Sequence, residues 1–186
     1  MTSVQLLASH HWRVPTSALS LRTEDGVSIQ GTLLGDHGPA SPAVVLAHGL
    51  MGWHRKPRFA QFAERLSEWF AVYAFDHRGH GASGGVSDFG GAEVVDVEEV
   101  VRLARANGHR QVVSVGTSMG GIAVVRHAAI LGGVDAVVAI SSLAYWDWHG
   151  GAHPKARRAF CASPASRCDL ACGQPGPPTT QNPRRP

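Results

Sequence analysis

Gln111-Val-Val-Ser-Val-Gly116-Thr-Ser118-Met-Gly120-Gly121 is a β-branched run that stops at a glycine-flanked serine and then turns apolar at helical spacing. It reads as strand, sharp turn, helix. In a Gly-x-Ser-x-Gly turn the serine adopts a strained backbone conformation, and side chains two residues either side would collide, so Gly116 and Gly120 are positions where a Cβ is not tolerated. Ser118 is then presented at the tip of the turn. A helix starting there aims its N-terminal N–H groups and positive dipole end at the serine, which favours an oxyanion forming beside it. Ser118 is therefore a candidate nucleophile. The bland alternative is a glycine-rich strand-to-helix turn without chemistry.

Working outward, residues 18–23 and 27–34 alternate around Glu24-Asp25-Gly26, a hairpin signal. Residues 43–47 form an uninterrupted apolar run of the length of a strand buried on both faces, and it ends at His48-Gly49. Residues 55–70 predict a helix with Pro57 in its first turn and an apolar stripe of Phe59, Phe62, Ala63, Leu66 and Phe70. Residues 71–75 predict a second buried strand. Residues 92–106 predict a helix, acidic early and basic late, with Val94, Val97, Val101 and Ala104 facing the core and its charged residues forming a solvated face. A helix over 122–131 and a further buried strand over 135–142 follow. The order is that of an α/β domain: an opening antiparallel hairpin, then parallel βαβ units with right-handed crossovers.

Gly79-His-Gly81-Ala-Ser-Gly84 matches the dinucleotide fingerprint Gly-x-Gly-x-x-Gly literally. That fingerprint requires the strand to run straight into a helix that holds the pyrophosphate, whereas Gly85, Gly90 and Gly91 keep this segment irregular. A nucleotide cofactor is not expected. His77 and His80 have His-x-x-His spacing, but a glycine loop without a third ligand does not make a zinc site. Asp76 and Arg78 are expected to tie the loop down through charge-assisted hydrogen bonds.

Three stretches together, Val44-Val-Leu-Ala-His48-Gly49-Leu50-Met51-Gly52, Tyr73-Ala-Phe-Asp76-His-Arg78-Gly79-His80-Gly81-Ala-Ser83 and Gly116-Thr-Ser118-Met-Gly120-Gly121, resemble the α/β-hydrolases of the monoacylglycerol-lipase or serine-aminopeptidase-like type. The resemblance covers roughly residues 18–150, the N-terminal part of that fold. It implies a serine hydrolase of small-molecule esters or amides that needs no cofactor. The backbone N–H groups of Leu50 and Met119 would form the oxyanion hole, with Gly49, Gly116 and Gly120 as motif glycines. His48 would be structural and the catalytic base would come much later.

Composition divides the chain. Residues 1–150 hold 11 Lys and Arg against 13 Asp and Glu, whereas residues 151–186 hold 6 against 1, with all three cysteines (Cys161, Cys168, Cys172). The basic excess therefore belongs to a Pro-rich stretch without strand or helix period, and nucleic acid is not an expected partner. No apolar run is long enough to span a membrane, and no secretory leader is evident, so a cytoplasmic location is expected. The cysteines read as free thiols. The organisation expected is a lead-in over 1–17, a partial hydrolase domain over 18–150, and a tail over 151–186 that is disordered or read in another frame.

An acyl-transfer serine requires a base, and the base an acid that orients it. In the family these follow strands beyond the sixth, which places the expected break of the fold after that strand. Asp147, with His149 or His153 close by, is the local candidate for acid and base. The alternative is a catalytically inactive remnant. A fold ending at its sixth strand would also leave that strand as an apolar edge, open to pairing with a second copy.

Overall fold

The computed structural model describes residues 9–35 and 37–142, which belong to one compact unit. Six strands form one mixed sheet: β1 (Thr16–Arg22), β2 (Ser28–Leu34), β3 (Ala43–Ala47), β4 (Ala71–Phe75), β5 (Val112–Thr117) and β6 (Ala136–Ile140). Three helices connect them: α1 (Pro57–Leu66), α2 (Glu93–Ala106) and α3 (Met119–Ile130). The strand order is β1-β2-β4-β3-β5-β6. β1 and β2 form the antiparallel hairpin, β2 pairs antiparallel with β4, and β4, β3, β5 and β6 run parallel. This is the α/β-hydrolase arrangement expected from the sequence.

Strands β3 and β4 are buried at every position, which is why they read as continuous apolar runs rather than alternating ones. Their side chains divide between two cores. Val45, Tyr73 and Phe75 meet Val97, Val100, Val101 and Ala104 of α2 and Ala123 and Val124 of α3. Val44, Leu46, Val72 and Ala74 pack on the other face with Ala63, Phe59 and Leu66 of α1.

Helix α1 is shorter than the 55–70 expected. Lys56, the residue before Pro57, is extended at φ −64° and ψ 128°, as the proline ring requires of its predecessor. Phe62 is at the edge of the apolar stripe and is exposed, while Phe59, Leu66 and Phe70 pack as expected. The solvated face assigned to α2 is also corrected, because Glu93 and Asp96 are fully buried. Strand β6 is apolar but exposed along most of its length. Among the described strands it pairs with β5 alone, so it is the outermost of them on that side.

The strand order defines where a site belongs. From β3 the chain crosses to β4 on one side, and it returns to place β5 on the other. The carboxyl ends of β3 and β5 therefore flank a topological switch point, the usual ligand crevice of an open parallel sheet. Ala47, at the end of β3, lies in register with Gly116 near the end of β5.

Candidate functional site

Ser118 follows β5 directly and precedes α3, with φ 51° and ψ −117°. A serine in this region is held against its own preference, since the Cβ of an L-residue crowds the backbone at positive φ. The turn is held from several sides. The Ser118 N–H donates to the Ile140 carbonyl at 2.9 Å, and the Ile122 N–H donates to the Ser118 carbonyl at 3.1 Å. A Cβ on Gly116 would run into the Gly120 carbonyl and lie 2.6 Å from the Gly121 nitrogen. One on Gly120 would lie 2.5 Å from the carbonyl oxygens of both Ala47 and His48. Each motif glycine thus permits a specific backbone contact, the first within the turn and the second between α3 and the end of β3.

The loop after β3 lies against the serine. A Cβ on Gly49 would be 3.1 Å from the Ser118 Cβ, 3.2 Å from the Thr117 carbonyl and 3.7 Å from the Ser118 Oγ. The Gly49 carbonyl is turned the other way, accepting from His48 Nδ1 at 2.7 Å and from the Gly52 N–H at 3.0 Å. Among the described residues no peptide bond is cis, so the Leu50 N–H points opposite to that carbonyl. Met119, first residue of α3, has its side chain fully buried, and Leu50 is partly exposed. Neither the Leu50 nor the Met119 N–H makes a backbone hydrogen bond to another described residue.

His48 is committed to structure. Its Nε2 accepts the His77 backbone N–H at 3.1 Å, so the ring proton is on Nδ1, which donates to Gly49. Its ring packs edge-on against His77, His80 and Phe59. Burial, reinforced by the His77 ring, pushes the imidazole down to about 3. A neutral ring with both nitrogens engaged cannot take a proton from Ser118.

The Asp76 loop is anchored as the sequence implies, and more extensively. Asp76 accepts the His54 N–H at 2.6 Å, His54 Nδ1 at 2.8 Å and the Ala82 N–H at 2.8 Å. Burial pushes its carboxyl up, but the His54 side chain and these N–H donors outweigh that and hold it below its ordinary value. Arg78 donates its backbone N–H and Nε to Asp96 at 2.9 and 2.8 Å, and its terminal nitrogens to Asp25. His54, Asp25 and Asp96 were not legible as partners of this loop. A signal existed for Asp96, because Glu93 and Asp96 continue the Val97, Val100, Val101, Ala104 stripe of α2 at helical spacing.

Ser118, Gly49, Leu50, Gly116, Met119 and Gly120 are thus brought together at the switch point. Asp147, His149 and His153 lie outside the described residues. Four other described histidines are hydrogen-bonded elsewhere: His54 to Asp76 and Thr32, His127 to Glu98, His109 to the Ser41 carbonyl and His37 to the Ser67 carbonyl, while the His77 ring is buried with neither nitrogen hydrogen-bonded. Among the described residues no histidine hydrogen-bonds Ser118.

The mixed sheet, its switch point and the strand-turn-helix around Ser118 define an α/β hydrolase. The chain belongs to the alpha/beta hydrolase family, whose model matches residues 44–181. That match starts later than the resemblance read from the motifs and runs beyond residue 150. No curated protein matches the sequence at a significant level. Among solved structures, an esterase of Pyrococcus furiosus is similar at 23% identity and TM-score 0.66, over 72% of this chain and 56% of that one. A serine hydrolase of Xanthomonas campestris, described as lacking a lid, matches at 23% identity and TM-score 0.61, over 74% and 66%. A bottromycin epimerase, solved with a bottromycin bound, matches at 30% identity and TM-score 0.54, over 66% and 47%. The chain spans about half the length of the esterase structures it matches. Among the described residues no helix is long and apolar enough to cross a membrane.

Proposed function

We propose that the chain is a serine hydrolase of small carboxylic esters or amides, of the monoacylglycerol-lipase or serine-aminopeptidase-like branch. Ser118 is the nucleophile, and the Leu50 and Met119 N–H groups bind the oxyanion. The observation that carries this reading is the pairing of Ser118 at φ 51° with a Gly49 loop packed on its side chain and a Gly49 carbonyl turned inward onto His48. That inward turn leaves the Leu50 N–H free to face developing charge. Met119 adds a second N–H from the first turn of a helix, where the macrodipole favours an anion. In the reaction, Ser118 Oγ attacks the acyl carbon, the carbonyl oxygen becomes the oxyanion, and the leaving alcohol or amine departs with a proton. In this reading His149 or His153 is the candidate base for the serine proton and Asp147 the candidate acid that orients it, all three lying outside the described residues.

A second reading, a nucleophile site that is acylated without efficient turnover, is favoured by the engagement of His48, His54, His109 and His127 with other partners. Loss of triad partners costs on the order of 10⁶ in turnover in one well-studied serine hydrolase, leaving about 10³ to 10⁴ over water from binding and the oxyanion hole. Hydrolysis of p-nitrophenyl acetate and butyrate separates the readings. Turnover abolished by Ser118→Ala and by His149→Ala or His153→Ala supports the first. Turnover sensitive to Ser118→Ala alone supports the second, and turnover indifferent to Ser118→Ala sinks both.

A further inference from the structure

The segment from Gly84 to Gly91 has a strained backbone. Gly85 and Gly90 have φ of 73° and 103°, and Phe89, which carries a side chain, has φ of 72°. A residue with a Cβ stays there only when its surroundings hold it. The holding group is Glu93, the first residue of α2, whose side chain is fully buried. One carboxylate oxygen accepts the Gly90 N–H at 2.7 Å, and the other accepts the Ser87 hydroxyl. Asp88 holds the same loop where it leads into α2, accepting the N–H groups of Gly91 and Ala92 at 2.9 and 2.7 Å. Burial and the Asp88 carboxylate push the Glu93 carboxyl above its ordinary range.

What Glu93 holds is pressed against the first turn of α3. The Ser87 hydroxyl is 3.5 Å from the Met119 sulfur. Gly90 lies flat on the helix, where a Cβ would be 2.9 Å from the Ile122 Cγ2 and 3.5 Å from the Met119 carbonyl oxygen. On one side, then, the α3 start is set by the sheet, through Gly120 on the end of β3 and Ser118 on Ile140. On the other it is set by this loop.

We propose that Glu93 is a positioning residue for the Ser118 turn: by clamping Ser87 and Gly90 onto Met119 and Ile122, it fixes the direction of the Met119 N–H. The inference rests on the assignment of that N–H to the oxyanion hole, while its structural half, the clamp, stands independently. A displacement of about 1 Å at a reacting centre is enough to cost up to about 100-fold in rate, so a buried acid that never touches substrate governs the chemistry through one helix turn.

The test compares Glu93→Ala, Glu93→Gln and Ser87→Ala with the wild-type chain by two readouts. The first is fluorophosphonate modification of Ser118, resolved into probe affinity and maximal rate. The second is amide hydrogen exchange across residues 117–124, which requires no activity. Glu93→Ala is expected to lower the maximal rate by about 10- to 100-fold with affinity unchanged, and to speed exchange in 117–124 but not in β3. Glu93→Gln keeps an acceptor for Gly90 and gains a donor for Ser87, so it is expected to restore both readouts. Ser87→Ala, the milder change, is expected to lie between. Unchanged exchange in 117–124 for both Glu93→Ala and Ser87→Ala overturns the proposal, as does a wild-type maximal rate in Glu93→Ala. If wild-type Ser118 is not modified at all, the hydrolase reading fails and the exchange measurement alone decides the role of Glu93.

Discussion

The Ser118 N–H donates to the Ile140 carbonyl at 2.9 Å, so the turn that presents the serine is anchored to the outermost described strand. The site is therefore coupled to an edge. Strand β6 carries no charge between Ala136 and Ile140, and Val138 and Ile140 are 45% and 40% exposed. An apolar, uncharged edge without proline or bulge is a template for another strand.

If that edge is free in solution, the chain self-associates through it. Val138→Lys is expected to lower the apparent mass in sedimentation while leaving Ser118 modification intact, because lysine on an edge strand opposes pairing. A wild-type chain that sediments as a monomer at high concentration contradicts this.

Gly120 permits α3 to start against the Ala47 and His48 carbonyls. Gly120→Ala is expected to lower stability by about 1–3 kcal/mol, the usual range for overpacking, and to abolish modification of Ser118. Gly38, where an added Cβ meets nothing within 4 Å, is the control. Gly38→Ala is expected to shift the urea midpoint little or slightly upward, since it restricts only the unfolded chain.

The His48 imidazole makes the fold sensitive to mild acid. Its value in the folded chain, about 3, is below the ordinary 6.5, so the unfolded chain binds a proton that the folded chain refuses between those limits. The stabilisation is complete above pH 6.5 and is lost as pH falls toward 3, at about 1.4 kcal/mol per pH unit. Asp76, held below 3.8, adds to the loss once pH falls to about 3.8, where the unfolded carboxyl takes up a proton before the folded one. Urea unfolding at pH 7 and pH 5 is expected to show a loss about 2 kcal/mol smaller in His48→Gln than in wild type. Equal losses would remove the neutral, buried His48 from the account.

How much was legible depended on whether the constraint was local. Strands β3 and β4 declared themselves because both faces are buried, and the Ser118 turn because its glycines answer to atoms within a few residues or at the end of the adjacent strand. Glu93 and Asp96 were read as solvated because charge usually is, yet their partners lie in the loop that precedes their own helix. Only the spacing shared with Val97 and Val100 placed them on the core face. Phe62 erred in the opposite sense, an apolar residue at the margin of its stripe and left outside. The base could not be located in the same way, since a histidine reaches a serine by tertiary geometry rather than by sequence interval.

The central claim is that Ser118 is a nucleophile set in a preformed oxyanion site. The most direct measurement is treatment of the full chain with a fluorophosphonate, followed by mass spectrometry of its peptides, beside Ser118→Ala and Gly49→Ala variants. Gly49→Ala would bring a methyl group 3.1 Å from the Ser118 Cβ. The account predicts one phosphonyl group on Ser118 in the wild type, none in Ser118→Ala and slowed modification in Gly49→Ala. Modification at another residue, or at equal rates in wild type and Ser118→Ala, would contradict it.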